Sequence, residues 1–158
     1  MEQNIQPDRT RCSELLNLLL CSLTVFERNV KILHWNYQGI DFVSVHPWLD
    51  TVHDDVCECI DSVAEEIRKG GQFPKGTLNE ALESSKVMML ESSRTYGNVD
   101  VMGTLKTQID ALRVLADELS TDADKNGFWT IHDLSNDVLR RLNHHRYFVV
   151  NSIQSTQM

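Results

Sequence analysis

The chain has 158 residues, 41% hydrophobic and 24% charged, with seven Gly and three Pro, enough for one substantial core and too few residues for two. One domain spanning 1–158 is expected, with short flexible termini at about 1–9 and 154–158. A formal net charge of −8 argues against a phosphate-tracking nucleic-acid surface and suits a protein that attracts cations.

The first predicted helix runs from about Asp8 to Tyr37. Leu15, Leu19, Phe26, Val30 and Leu33 recur at helical spacing, and Leu16, Leu20 and Leu23 widen the apolar face. Its strongest apolar run, Leu15 to Val25, is interrupted by Asn17, Ser22 and Thr24, too short and too polar to cross a membrane. It also lacks the basic start and cleavage site of a signal peptide, so a cytoplasmic protein without a membrane partner is expected. The second helix is expected to begin at Ser44 as N-cap, with Pro47 in the first turn, and to end at Gly70-Gly71. Its apolar seam is Leu49, Val52, Val56, Ile60, Val63 and Ile67.

A long crossover follows, in which Thr77 and Glu80 have capping-box spacing for a short helix. The third long helix, about Val99 to Ala123, reads Met102, Leu105, Ile109, Leu112, Ala116 and Leu119. Gly127 marks a turn, and the fourth, about Thr130 to Gln154, offers Leu134, Val138, Leu142, His145, Val149 and Ile153. The fold class is therefore all-α: a ferritin-like four-helix bundle with a short extra helix in the crossover between helices two and three. Cys12, Cys21, Cys57 and Cys59 show neither CxxC spacing nor a disulfide framework. Cys57 and Cys59 point roughly 200° apart on a helix and are read as small packing residues.

The chemistry concentrates in the second helix. His46/Asp50 and Asp61/Glu65 are each spaced four apart, so each pair lies on one helix face and could grip an ion. Asp50 and Asp61 share a face to within roughly 20° but stand roughly 16 Å apart along the axis, so one continuous helix cannot close a site from both pairs. The pairs are symmetric about the midpoint between Asp55 and Val56. Antiparallel pairing of two copies about a two-fold axis there brings His46 and Asp50 of one copy to Asp61 and Glu65 of the other, making two identical sites per dimer. His34, beside Trp35, is a further ligand candidate. Mixed imidazole and carboxylate ligation suits iron, manganese or zinc, and open positions favour redox chemistry with oxygen species. Taken singly, such pairs also occur on ordinary solvated helix faces. The mirrored spacing is what sets them apart.

The stretch from Lys31 through His34-Trp35, Gly39 and Phe42 to His46, continued by Asp50, Asp61, Glu65 and Gly70-Gly71, resembles the Dps family of mini-ferritins. The HW-x3-G-x2-F-x3-H and D-x3-E spacings carry the resemblance, which covers roughly residues 10 to 153. It implies a hollow cytoplasmic dodecamer built from two-fold dimers, with a di-iron ferroxidase centre at each two-fold interface. His34, His46 and Asp50 of one chain and Asp61 and Glu65 of its partner are the implied iron ligands. The implied substrates are Fe(II) and hydrogen peroxide, the implied product a stored ferric oxyhydroxide, and the implied role protection against oxidative damage. Trp35 and Tyr37 beside the site are read as packing residues that could also pass electrons.

Departures from the family pattern are local. Pro47 stands where many relatives carry a carboxylate, and Thr51 replaces another acidic position, which removes groups that could nucleate mineral. His53, Asp54, Asp55 and Glu58 are read as a solvated face, and Asp133 and Asp137, or Asp122 and Asp124, as candidates for an acidic iron pore. Arg9 and Arg11 are offset by Glu2 and Asp8, and Asn151 to Met158 carry no charge, so strong DNA binding is not expected. His132, His144 and His145 are read as packing or surface residues, with a small basic patch at Arg140, Arg141 and Arg146. Two other functions compete. A four-helix oxidase with Glu-x-x-His motifs is excluded because no such motif occurs, and a Dps-like structural or interaction cage without ferroxidase activity is opposed by five competent ligand positions.

Overall fold

The computed structural model describes residues 8–154. The expected flexible termini, about 1–9 and 154–158, lie outside that range except for residues 8, 9 and 154. Five helices follow one another: α1 (Thr10–Asn36), α2 (Phe42–Lys69), α3 (Leu78–Ser84), α4 (Asn98–Asn126) and α5 (Trp129–Gln154). The hairpin α1/α2 and the hairpin α4/α5 pack through α1 against α4, and the crossover lays α3 on α1. The expected all-α bundle with a short crossover helix is the observed architecture. Among the described residues the sole β-type pairing is an isolated bridge between Tyr37 and Tyr96.

Apolar periodicity builds the core. Met102, Leu105, Ile109, Leu112, Ala116 and Leu119 of α4 are all buried, as are Leu49, Val52, Val56, Val63 and Ile67 of α2. Ile60 is only partly buried against this core, and Cys59 takes a place in it. Each fully buried Leu or Phe contributes roughly 1.5–3 kcal/mol, so the facing stripes hold the helices together. Local signals set the ends. Gly71 and Gly127 adopt φ of +82° and +73°, a left-handed conformation that glycine reaches without a Cβ clash, and they close α2 and α4. Thr77 and Glu80 form the reciprocal capping box that starts α3.

The start of α2 differs from the sequence expectation. The helix begins at Phe42 rather than after Ser44, so Pro47 lies in the second turn. Asp41 O accepts hydrogen bonds from Ser44 N at 3.0 Å and Val45 N at 2.9 Å, which winds the chain ahead of Ser44. Proline there leaves the carbonyl of Val43 without its helical donor, and Val43 is exposed, where water can supply one.

The polar interruptions of α1 anchor the crossover. Buried Asn29 donates through Nδ2 to Met88 O at 2.8 Å and to Gln108 Oε1 at 3.1 Å, and its Oδ1 accepts from Leu90 N at 2.9 Å. Ser22, one heptad earlier, accepts from Lys86 N at 2.9 Å. The crossover is then fastened to the end of α1, where Tyr96 N donates to Asn36 O and Gln38 N to Tyr96 O, both at 2.9 Å. Asn29→Leu leaves the Leu90 amide and the Gln108 side-chain oxygen without their partner and is expected to cost about 2–4 kcal/mol. A lower denaturant midpoint with faster hydrogen exchange at the Leu90 amide checks this, and an unchanged midpoint contradicts it.

Candidate metal centre

His34 lies near the C-terminal end of α1 and His46 in the second turn of α2, with the segment 37–41 between. Each ring contacts the other residue's backbone: His34 Nδ1 lies 2.9 Å from His46 O, and His46 Nδ1 lies 3.0 Å from His34 O. A carbonyl oxygen only accepts, so both Nδ1 atoms carry hydrogen and both Nε2 atoms keep a lone pair. His34 O is one of the last four carbonyls of α1, which lack an intrahelical donor, so the His46 ring also caps that helix. The rings stack with centroids 3.7 Å apart, and Phe42 stacks on His46 at 4.7 Å. Two ligand-competent imidazoles are thereby fixed before any metal arrives.

Asp50, one turn beyond His46, completes a three-residue cluster. Its Oδ1 is 2.6 Å from Lys31 Nζ and 3.5 Å from His34 Nδ1. The Lys31 hydrogen bond holds the Asp50 carboxyl below the ordinary carboxylate range, against a desolvation that raises it. In the sequence Lys31 stands out only as the first residue of the His34-Trp35 motif. Its four-residue step from Glu27 on α1 is the signal that could have placed it in the site.

The contacts form a ladder across the antiparallel hairpin: His34 with His46, Lys31 with Asp50, and Glu27 with His53, whose Nε2 lies 2.7 Å from Glu27 Oε1. Asp61 and Glu65 follow on the same helix and are exposed. Within one chain they do not join the His34, His46 and Asp50 cluster. Trp35 is exposed beneath the Arg28 guanidinium, which stands 5.9 Å from its ring. Tyr37 is buried, which raises its phenol, and a Cβ on Gly39 would approach its hydroxyl to 2.5 Å. Glycine at 39 therefore lets the loop close over Tyr37.

Other residues are engaged differently from their sequence reading. Asp55 accepts from buried His145 at 2.6 Å and pairs with Arg141, while Glu58 also pairs with Arg141 at 2.6 Å. Burial lowers the His145 imidazole below its ordinary value even though Asp55 opposes the shift. The basic patch is largely neutralised, because Arg140 and Arg141 pair with Asp137, and Arg146 pairs with Asp110. Of the pore candidates, Asp137 is thus occupied and Asp122 accepts from Cys12 Sγ at 3.1 Å. Cys57 is exposed and Cys59 buried, so the packing reading holds for Cys59 alone.

A family model for the ferritin-like domain matches residues 13–158. The DNA protection during starvation protein of Listeria innocua is 30% identical over 129 residues, covering 80% of this chain and 78% of the relative. The chain belongs to the Dps family of ferritin-like proteins. The Dps-named protein of Helicobacter pylori is 28% identical over 129 residues, covering 82% of this chain and 89% of the relative. The crystal structure of Dps from Vibrio cholerae O1, described as a ferritin-like diiron-carboxylate protein, superposes on this Dps-family chain with a TM-score of 0.85 at 22% identity. It covers 90% of this chain and 89% of that one. That likeness concerns the fold. The family's characteristic bundle therefore carries the His34, His46 and Asp50 cluster, with Lys31 as its resident cation.

Lys31 occupies the Asp50 oxygen that a bound cation would need. Lys31→Met is expected to tighten Fe(II) binding at neutral pH roughly two- to fivefold, as befits a partly exposed ion pair. Anaerobic Fe(II) titration measures this, and weaker binding contradicts competition.

Proposed function

We propose that this Dps-family protein oxidises Fe(II) at centres shared between two-fold-related subunits and stores the ferric product inside a cytoplasmic dodecameric cage. Each centre combines His34, His46 and Asp50 of one chain with Asp61 and Glu65 of the partner subunit. The observation that carries the reading is the reciprocal fixing of His34 and His46 through Nδ1, which leaves both Nε2 atoms free to ligate beside an ionised Asp50. This donor set fits iron: imidazole and carboxylate together hold Fe(II) reversibly, and the anionic oxygens stabilise the charge gained on oxidation.

One chain carries half of each donor set in two places along α2. Antiparallel pairing about residues 55–56 unites the halves, and the exposed apolar side chains Trp35, Ile40 and Val43 near the histidine cluster offer surface for a partner to cover. Two Fe(II) ions supply the two electrons that reduce one hydrogen peroxide to two waters, with two protons consumed and two Fe(III) formed. Removing both reactants together suppresses hydroxyl-radical formation. The backbone hydrogen bonds of the two rings hold their orientation throughout, and Lys31 keeps Asp50 anionic until iron displaces it. A net charge of −8 favours cation uptake over duplex binding.

Anaerobic Fe(II) loading followed by peroxide addition, monitored by absorbance alongside native mass, tests the proposal. Fast oxidation to a soluble ferric product in a twelve-chain particle is expected. His34→Ala/His46→Ala is expected to lower the initial rate by more than about tenfold while the particle still assembles. Unchanged kinetics in that variant refute the site assignment, and a particle that neither binds nor oxidises iron supports the structural cage instead.

A further inference from the structure

The lowest rung of the hairpin ladder has a chemistry of its own. Glu27 of α1 and His53 and Cys57 of α2 bring a carboxylate oxygen, an imidazole nitrogen and a thiol sulfur within 4.8 Å of one another. The separations are 2.7 Å between His53 Nε2 and Glu27 Oε1, and 3.6 Å between Cys57 Sγ and His53 Nε2. His53 Nδ1 lies 3.2 Å from Asp54 Oδ1. Both ring nitrogens therefore face carboxylates. A neutral imidazole has one N–H and satisfies one of these contacts, so the other requires a second proton or a metal cation. If Nδ1–H donates to Asp54, the Nε2 lone pair is aimed at Glu27 and Cys57, the carboxylate–histidine–metal arrangement that orients a ligating ring.

We propose that Glu27, His53 and Cys57 form a second metal site within each subunit, selective for a zinc-like divalent cation and distinct from the His34, His46 and Asp50 cluster. The donor chemistry decides the class. One thiolate, one imidazole and one carboxylate match the ligand types of tetrahedral zinc and discriminate against magnesium and calcium, and three protein ligands leave a fourth position for water. The geometry needs little adjustment. Bonds of about 2.0–2.3 Å in a tetrahedron place ligand atoms roughly 3.3–3.7 Å apart. The sulfur–nitrogen separation already lies in that range, the His53–Glu27 contact must open by roughly 0.6 Å, and the oxygen–sulfur separation is within 4.8 Å.

Burial, with Glu27 and Asp54 nearby, raises the Cys57 thiol, so the apo site keeps its proton and a bound cation displaces it to water. His53 and Cys57 are spaced four apart, and Glu27 sits four residues before Lys31, so the site is built from two rigid helices and no loop. All three ligands come from one chain, so the site does not rest on the ferroxidase reading.

Cobalt(II) titration under anaerobic conditions tests the proposal, because thiolate ligation adds a charge-transfer absorption that nitrogen and oxygen ligands do not. One equivalent per chain is expected to produce the band and zinc to abolish it. Cys57→Ser is expected to lose the band, and His53→Gln to bind cobalt at least about tenfold more weakly. His34→Ala/His46→Ala is expected to keep the band. No band in the wild-type protein, persistence in Cys57→Ser, or loss in His34→Ala/His46→Ala overturns the assignment.

Discussion

Two imidazoles that hydrogen-bond each other's backbone carbonyls fasten the end of α1 to the start of α2. The rest of the site depends on this exchange. It satisfies an orphan carbonyl of α1 and fixes both ring tautomers, while Lys31 meets Asp50 and Glu27 meets His53 further down the same hairpin. A structural requirement and a ligand requirement are met by the same pair of N–H groups. Replacing either ring by one that cannot donate through Nδ1 disturbs both.

The polar ladder lies along the edge of the apolar seam of α2. Leu49, Val52 and Val56 are buried, while His46, Asp50 and His53 are half-buried. In that intermediate position the side chains are held by protein on one side and face solvent on the other. It also concentrates charge where water still screens it, so Lys31–Asp50 acts as a replaceable counterion pair more than as a source of stability. Stability resides in the core and in buried polar anchors such as Asn29.

Much of this was legible in the sequence, and the reasons differ by element. The α4 and α5 helices were read from apolar periodicity because their buried stripes are regular, and the short crossover helix from the Thr77/Glu80 box because capping is local chemistry. The start of α2 lies three residues before the position that the capping preference of Ser44 and the placement of Pro47 suggest, because the backbone hydrogen bonds to Asp41 O are not revealed by spacing. His34 and His46 could be singled out as ligand candidates, but not their mutual hydrogen bonds, since these depend on how segment 37–41 folds back. The His53/Cys57 spacing was visible, yet its meaning depends on Glu27 in another helix, and the pairing of α1 with α2 is tertiary information.

The central claim is that each iron centre is shared, with the two half-sites of one chain serving two different centres. Co-expressing a His34→Ala/His46→Ala chain with an Asp61→Asn/Glu65→Gln chain addresses it directly. Each hybrid dimer then holds one centre with every ligand intact and one that keeps Asp50 alone. Random pairing makes half the dimers hybrid, so the mixture is expected to oxidise Fe(II) at about one quarter of the wild-type rate although neither parent is active. A mixture as inactive as its parents contradicts shared centres.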